Sequence, residues 1–197
     1  MVRRIYVVRH CEAEGQPREA RLTDKGVQQA AELAEFFSKI EINRIVSSPF
    51  VRTVHSVNSI AELKQIEVET DERLSERILS TKVLEDWLEK LQATYNDLDL
   101  KFDGGESTRE AMARVVSVVE EVLNGEVENT IIVTHGNLMS LLLKNYQSDF
   151  GFEQWQKLSN PDVFLLEFDE NEVLLKRLWQ DKEVIVASHD ISKTRKN

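Results

Sequence analysis

Short apolar runs alternate with stretches of helical periodicity along this chain. "IYVV", residues 5–8, reads as a strand covered on both faces, because the run is unbroken and rich in β-branched residues. From Thr23 to Phe37, apolar side chains at Val27, Ala30, Ala31, Ala34 and Phe37 keep the period of an amphipathic helix. "NRIVSS" is a second strand, after which Ser48 and Pro49 suit the N-cap and first turn of a helix to about Leu63. "IEVET" is a third strand. Leu84, Trp87, Leu88, Leu91 and Tyr95 share one face of a helix over residues 82–95. "DGGES" is a turn, and Ser107 with Glu110 has the spacing of a capping box opening a helix to about Leu123. Asn124–Gly125 closes that helix, and "TIIVT" is a further strand. The helix after Asn137 is apolar on most sides, hence buried. "VFLLEF" and "EVLLKRLW", joined by "DEN", form a closing hairpin.

This alternation predicts an α/β three-layer sandwich: a mainly parallel central sheet, helices on both faces and an antiparallel edge. No repeat, linker or low-complexity tract divides the chain, so residues 1–197 are expected to form one domain with a loose polar tail after about residue 180. The charge balance narrows the partners. With 35 acidic and 25 basic side chains the net charge is −10, which disfavours a general nucleic-acid binder. A small anionic substrate stays compatible, since a few arginines in a cleft focus a local positive field. One cysteine precludes an internal disulfide framework and suits a reducing compartment. No apolar run approaches the roughly 20 residues of a membrane span, and no signal-peptide pattern opens the chain. The expectation is a cytoplasmic protein with no membrane partner; its oligomeric state is not readable.

Three of the apolar runs end in polar residues at the strands' carboxyl ends, where open α/β sheets bind ligands. The first ends in Arg9–His10 and the second in Ser47–Ser48, with Arg52 a turn into the next helix. The run "TIIVT" ends in His135–Gly136–Asn137. Two arginines and two histidines can therefore meet. Guanidinium forks match phosphate or carboxylate oxygens, and an imidazole can act as donor or nucleophile. Phosphoryl transfer suits such a set, because its transition state spreads negative charge over oxygens that arginines hold. Four histidines without an HxxxH or CxxC spacing argue against a zinc site.

"RHCEAEGQ", "LTDKG", "SSPFVRT", "RLSER", "GGES" and "VTHGN" occur in that order. Together they resemble the histidine phosphatase superfamily, in the branch related to phosphoglycerate mutases, over residues 3–145. The resemblance implies that His10 attacks phosphorus and becomes a transient phosphohistidine. Arg9, Arg52 and His135 would hold the phosphoryl oxygens. Glu76 matches the family's acid, which protonates the departing alkoxide and then helps to activate water. Gln16 stands where many members have an asparagine near the phosphate and is an accessory donor; Asn137 and Ser107 would support or line the pocket, Ser107 most simply as an N-cap. Neither a metal nor another cofactor is implied. Since the acid must carry a proton when the leaving group departs, activity on the acidic side of neutrality is expected.

Cys11 stands where the family usually has glycine, and Ala13 replaces a frequent threonine. "RILSTKVLEDW" after the acid lacks the Gly- and Trp-rich segment of many relatives, so the surface over the leaving group differs. The expected function is a metal-independent phosphatase acting on small phosphomonoesters. The alternatives are a phosphoglycerate mutase, whose known members are longer after the acid motif, and a non-catalytic phospho-ligand-binding module. The physiological ester is not named by the motifs.

Overall fold

The computed structural model describes residues 2–170 and 172–179, so the expected loose tail lies outside the described residues. Six strands form one sheet in the order β3-β2-β4-β1-β5-β6. They are β1 (Arg3–Arg9), β2 (Arg44–Ser47), β3 (Val68–Thr70), β4 (Asn129–Thr134), β5 (Asp162–Asp169) and β6 (Glu172–Arg177). β1, β2, β3 and β4 run parallel, whereas β5 pairs antiparallel with β1 and β6 antiparallel with β5. The expected antiparallel edge is therefore the closing hairpin.

The unbroken apolar character of β1 has the expected cause. Ile5 and Val7 pack into one hydrophobic cluster with α4 (Thr108–Asn124) and α5 (Gly136–Tyr146), while Tyr6 and Val8 pack into another with α1 (Asp24–Phe37) and α2 (Val51–Lys64). A strand with both faces covered cannot alternate apolar with polar residues. Parallel register then brings strand ends together: Arg9 of β1 lies opposite Thr134 of β4, and Ser47 of β2 opposite Val133.

Two local readings need correction. Ser48 does not cap α2. That helix begins at Val51 behind Phe50, without a side-chain cap, and Ser48 Oγ lies 2.8 Å from a ring nitrogen of His135. The expected helix over 82–95 begins later, as α3 (Trp87–Asn96), and Val83 is 95 % exposed, so the apolar stripe overstated its length. A short α6 (Phe152–Gln156) was not foreseen, its five residues being too few to show a period. The Ser107–Glu110 capping box is formed as expected. Among the described residues no helix is long and apolar enough to cross a membrane.

The loop after β1 is locked to the start of α1. Thr23 caps that helix through Gly26 N–H at 3.0 Å, and Thr23 N–H donates to Glu12 O at 3.1 Å. Gly26 is there because a β-carbon at this position would lie 2.0 Å from the Glu12 carbonyl oxygen. Gly26→Ala is therefore expected to destabilise the fold by about 1–3 kcal/mol, the range of overpacking a tight site. Thermal melting checks this, and an unchanged midpoint would show that the loop yields freely.

Candidate active site

Four of the motif residues meet at the carboxyl edge of the sheet. His10 follows β1 directly, and its Nδ1 lies 2.6 Å from the carbonyl oxygen of Cys11. A carbonyl can only accept, so Nδ1 carries the proton and Nε2 keeps its lone pair. Arg52 Nε donates to that Nε2 at 3.3 Å. The same guanidinium donates through Nη1 to the carbonyls of Gln16 and Pro17, at 3.0 and 2.8 Å. Its Nη2 donates to His135 Nδ1 at 3.2 Å. His135 Nε2–H is thereby the donor to Ser48 Oγ, and the two imidazole rings stand 5.2 Å apart, edge to face.

Burial and charge act on both rings in one direction. Loss of solvent, with Arg52 and Arg9 nearby, lowers the His10 pKa to about 3 although the Cys11 carbonyl opposes the shift. His135 is held well below the ordinary histidine value by burial and then by His10 and Arg52. Both rings are neutral near pH 7.

Arg9 reaches the site from the last position of β1. Its Nη1 donates to the carbonyls of Leu158 and Ser159 at 3.1 and 3.3 Å, while its buried Nε has no hydrogen-bond partner. The guanidinium lies against Gly136, where a β-carbon would come within 2.9 Å of it. That close approach explains a glycine at the head of α5.

Glu76 comes from an irregular segment. Its Oε1 accepts from the N–H groups of Arg77 and Leu138, each at 2.9 Å, and its Oε2 from Asn137 N–H at 3.0 Å. Two of these donors are unpaired first-turn amides of α5, the usual seat of an anion. Asn137 is oriented by a relay. Ser140 donates to the Asn137 carbonyl, so Tyr95 OH donates to Ser140 Oγ and accepts from Asn137 Nδ2 at 2.9 Å.

A cavity of about 510 Å³ opens onto Arg9, His10, Gln16, Glu76 and Asn137. Arg52 and His135 are not on its wall; they are 1 % and 0 % exposed and lie behind His10. Gln16 lines the cavity, and its interaction with Arg52 runs through its main-chain carbonyl. The cysteine after His10 is accommodated because its side chain turns into the core beside α2; burial raises its thiol to about 11, which leaves it protonated and unreactive. His55, one turn along α2 from Arg52, is exposed.

Sequence reasoning missed several supports. Asn160 Nδ2 donates to the His10 carbonyl at 2.7 Å, and Ser56 Oγ accepts from Cys11 N–H at 2.8 Å. Arg114 of α4 donates from Nη1 to the carbonyls of Arg73 and Ser75, at 2.6 and 2.8 Å. Its Nε and Nη2 form a two-point ion pair with Glu106, at 2.6 and 2.8 Å. Glu106 lies just before the Ser107 N-cap and Arg114 within α4, a pairing that no local periodicity marks as functional. Among the described residues no group of three His, Cys, Asp or Glu side chains is placed to hold a metal ion.

With strand-edge histidines, paired arginines and a loop carboxyl in place, the comparisons with known proteins point one way. The chain belongs to the histidine phosphatase superfamily (branch 1), whose model matches residues 5–181. It is 30 % identical over 145 residues to Phosphoserine phosphatase 1 of Hydrogenobacter thermophilus, covering 66 % of this chain and 69 % of that one. It is 26 % identical over 191 residues to "Probable phosphoglycerate mutase GpmB" of Salmonella choleraesuis, covering 86 % and 87 %. Among solved structures, a mycobacterial glucosyl-3-phosphoglycerate phosphatase matches with a TM-score of 0.71 at 22 % identity, over 90 % of this chain and 97 % of that one, a likeness of fold.

The neutral rings make stability depend on pH. Between about 6.5 and 3 the unfolded chain binds protons at positions 10 and 135 that the folded chain refuses, so stability falls as pH drops through that window. Melting temperatures measured from pH 7 to pH 4 should decline, and His10→Gln should flatten part of the decline. Equal slopes in both proteins would mean that His10 is protonated in the fold.

Proposed function

We propose that the protein is a phosphatase that hydrolyses phosphomonoesters through a phosphohistidine on His10, with Glu76 as general acid and no metal. The observation that carries this reading is the His10 tautomer. Its Nδ1 proton is bound to a carbonyl, and its Nε2 lone pair stands free of protonation beside the cavity.

The residues divide the work as follows. His10 Nε2 forms a bond to phosphorus as the ester P–O bond breaks, and Glu76 delivers its proton to the departing oxygen, releasing an alcohol. The Nε2 lone pair is then used, so the Arg52 N–H that it accepted is freed to meet a phosphoryl oxygen. Arg9 meets another, with its unpartnered Nε as an available donor. The phosphorylated ring gains positive charge, which the short bond from Nδ1 to the Cys11 carbonyl stabilises. Three amides hold the carboxylate that Glu76 becomes, an interaction stronger after proton transfer than before it. Water attacks phosphorus, Glu76 takes its proton, and inorganic phosphate departs as the His10 lone pair is restored. His135 stays behind the nucleophile and holds Arg52 through its own Nδ1. Gln16, on the rim, and Asn137 complete the substrate-binding set.

The test is turnover of benzyl phosphate and dinitrophenyl phosphate in the presence of EDTA. Activity with EDTA is expected, with none in His10→Ala, and radiolabelled ester should leave an acid-labile, base-stable phosphoryl group on the wild type. Glu76→Gln should cost about 10²–10⁴-fold on the benzyl ester, which needs an acid, and far less on the dinitrophenyl ester, which does not. The benzyl rate is expected to be higher below neutrality than above it. Loss of activity in EDTA would overturn metal independence, and an inert wild type that still binds phosphate would make the protein a binding module.

A further inference from the structure

Besides the groups named above, the cavity is walled by Leu79, Leu91, Trp87 and Trp155. Two arginines line it, and only Arg9 belongs to the phosphoryl end. The other, Arg77, is 6 % exposed, and three of its five N–H groups are bonded inward. Nε and Nη2 donate to the Glu106 carbonyl at 3.3 and 3.0 Å, and Nη1 to Thr94 Oγ1 at 2.9 Å. The other charged group on that wall is the carboxylate of Glu12, paired outward with Lys25. A second anion on the substrate would meet a carboxylate, apolar surface and only the small exposed part of Arg77. Resting on the phosphatase reading above, we propose that the ester's organic group is uncharged and presents an apolar or ring face to the two tryptophans. Phosphoserine and phosphoglycerate, the substrates in the names of two relatives, each carry a carboxylate and fit this wall poorly.

The deciding comparison is benzyl phosphate against para-carboxybenzyl phosphate, whose alcohols leave equally well, with phosphoserine as a third substrate. The carboxylated esters should show kcat/KM lower by about tenfold or more, the cost of placing an unpaired charge against apolar surface. Trp155→Leu should raise KM for benzyl phosphate several-fold and leave inhibition by inorganic phosphate unchanged. Equal or better turnover of para-carboxybenzyl phosphate or phosphoserine would overturn this inference while leaving a phosphatase in place. No turnover of any ester, with His10 never phosphorylated, would sink the phosphatase reading itself.

A separate set of bonds assigns a positioning role, under that same reading, to Arg114. Its guanidinium ties the carbonyls of Arg73 and Ser75 to the Glu106 carboxylate. Glu106 in turn accepts from Ile78 N–H at 3.3 Å, and its own N–H donates to the Ile78 carbonyl at 2.8 Å. The backbone on both sides of Glu76 is thus strapped to α4 and the turn before it. We infer that Arg114 acts through Glu76, setting where its carboxyl stands relative to the ester oxygen. Lysine cannot serve this fork of acceptors.

Arg114→Lys is therefore expected to lower kcat on benzyl phosphate by about tenfold, part of the contribution of a well-placed acid, and to change kcat on dinitrophenyl phosphate by less than about twofold. Glu106→Gln should shift the same ratio less. A merely structural arginine would lower both rates alike, and that result, or no change in either, overturns the inference. If Glu76→Gln itself fails to separate the two esters, the acid role of Glu76 is wrong and the phosphatase reading needs revision.

Discussion

The bond from His10 Nδ1 to the Cys11 carbonyl decides what the rest of the site can be. A buried imidazole that cannot take a second proton is either a lone-pair donor or an N–H donor towards the cavity, and this bond selects the former. The peptide just before that carbonyl, between His10 and Cys11, is itself pinned. Ser56 of α2 takes the Cys11 N–H, and Asn160, just before β5, takes the His10 carbonyl. The backbone of His10 is thus clamped from both sides of β1, and its ring orientation follows from the sheet rather than from side-chain packing alone.

Arg52 raises the opposite problem, a cation with almost no exposure and no carboxylate in hydrogen-bond contact. Carbonyl oxygens, an imidazole nitrogen and the face of Phe50, 4.8 Å from its guanidinium carbon, surround it. Such partners satisfy N–H groups without neutralising charge, and burial lowers its pKa accordingly. The cation is left without a carboxylate in contact at the end of β2 and β1, and Glu76 acts on it only from a distance. On the reading proposed above, a dianionic group beside His10 would supply the missing charge, with the Arg52 Nε–H turned from His10 to meet it.

Much of this was legible in the sequence because strands and their ends are local facts. The run at 5–8, the histidine after it and the turn at 135–137 place three contributors before any fold is known, since parallel strands share a carboxyl edge. Misreadings occurred where one residue type serves two purposes. Ser48 has the composition of an N-cap, yet its hydroxyl faces His135, and helix-cap statistics cannot see a partner eighty-seven residues away. Arg114 escaped notice for the same reason. Two of its acceptors are the carbonyls at 73 and 75, and main-chain oxygens leave no mark on side-chain patterns. Whether Arg52 and His135 touch the cavity or stand behind it was likewise a question of depth, which periodicity does not encode.

His10 and Glu76 rest on different kinds of support, and the difference follows from where they sit. His10 extends a strand whose neighbours fix its backbone through ladder hydrogen bonds, so its precision is a by-product of the sheet. Glu76 lies in a segment between a single 3-10 turn at Glu72–Leu74 and α3, with no ladder to hold it. Order there must come from side chains reaching the main chain, and each such bond offsets the entropy of an otherwise free loop. Arg114, Arg77 and the amides at the head of α5 supply those bonds from α4, the 77–78 segment and α5 in turn. The loop also carries Leu79 onto the cavity wall, so the position of Glu76 and the shape of that wall are fixed by one set of contacts. A change that reshapes this wall must therefore preserve the strap, or Glu76 is displaced with it.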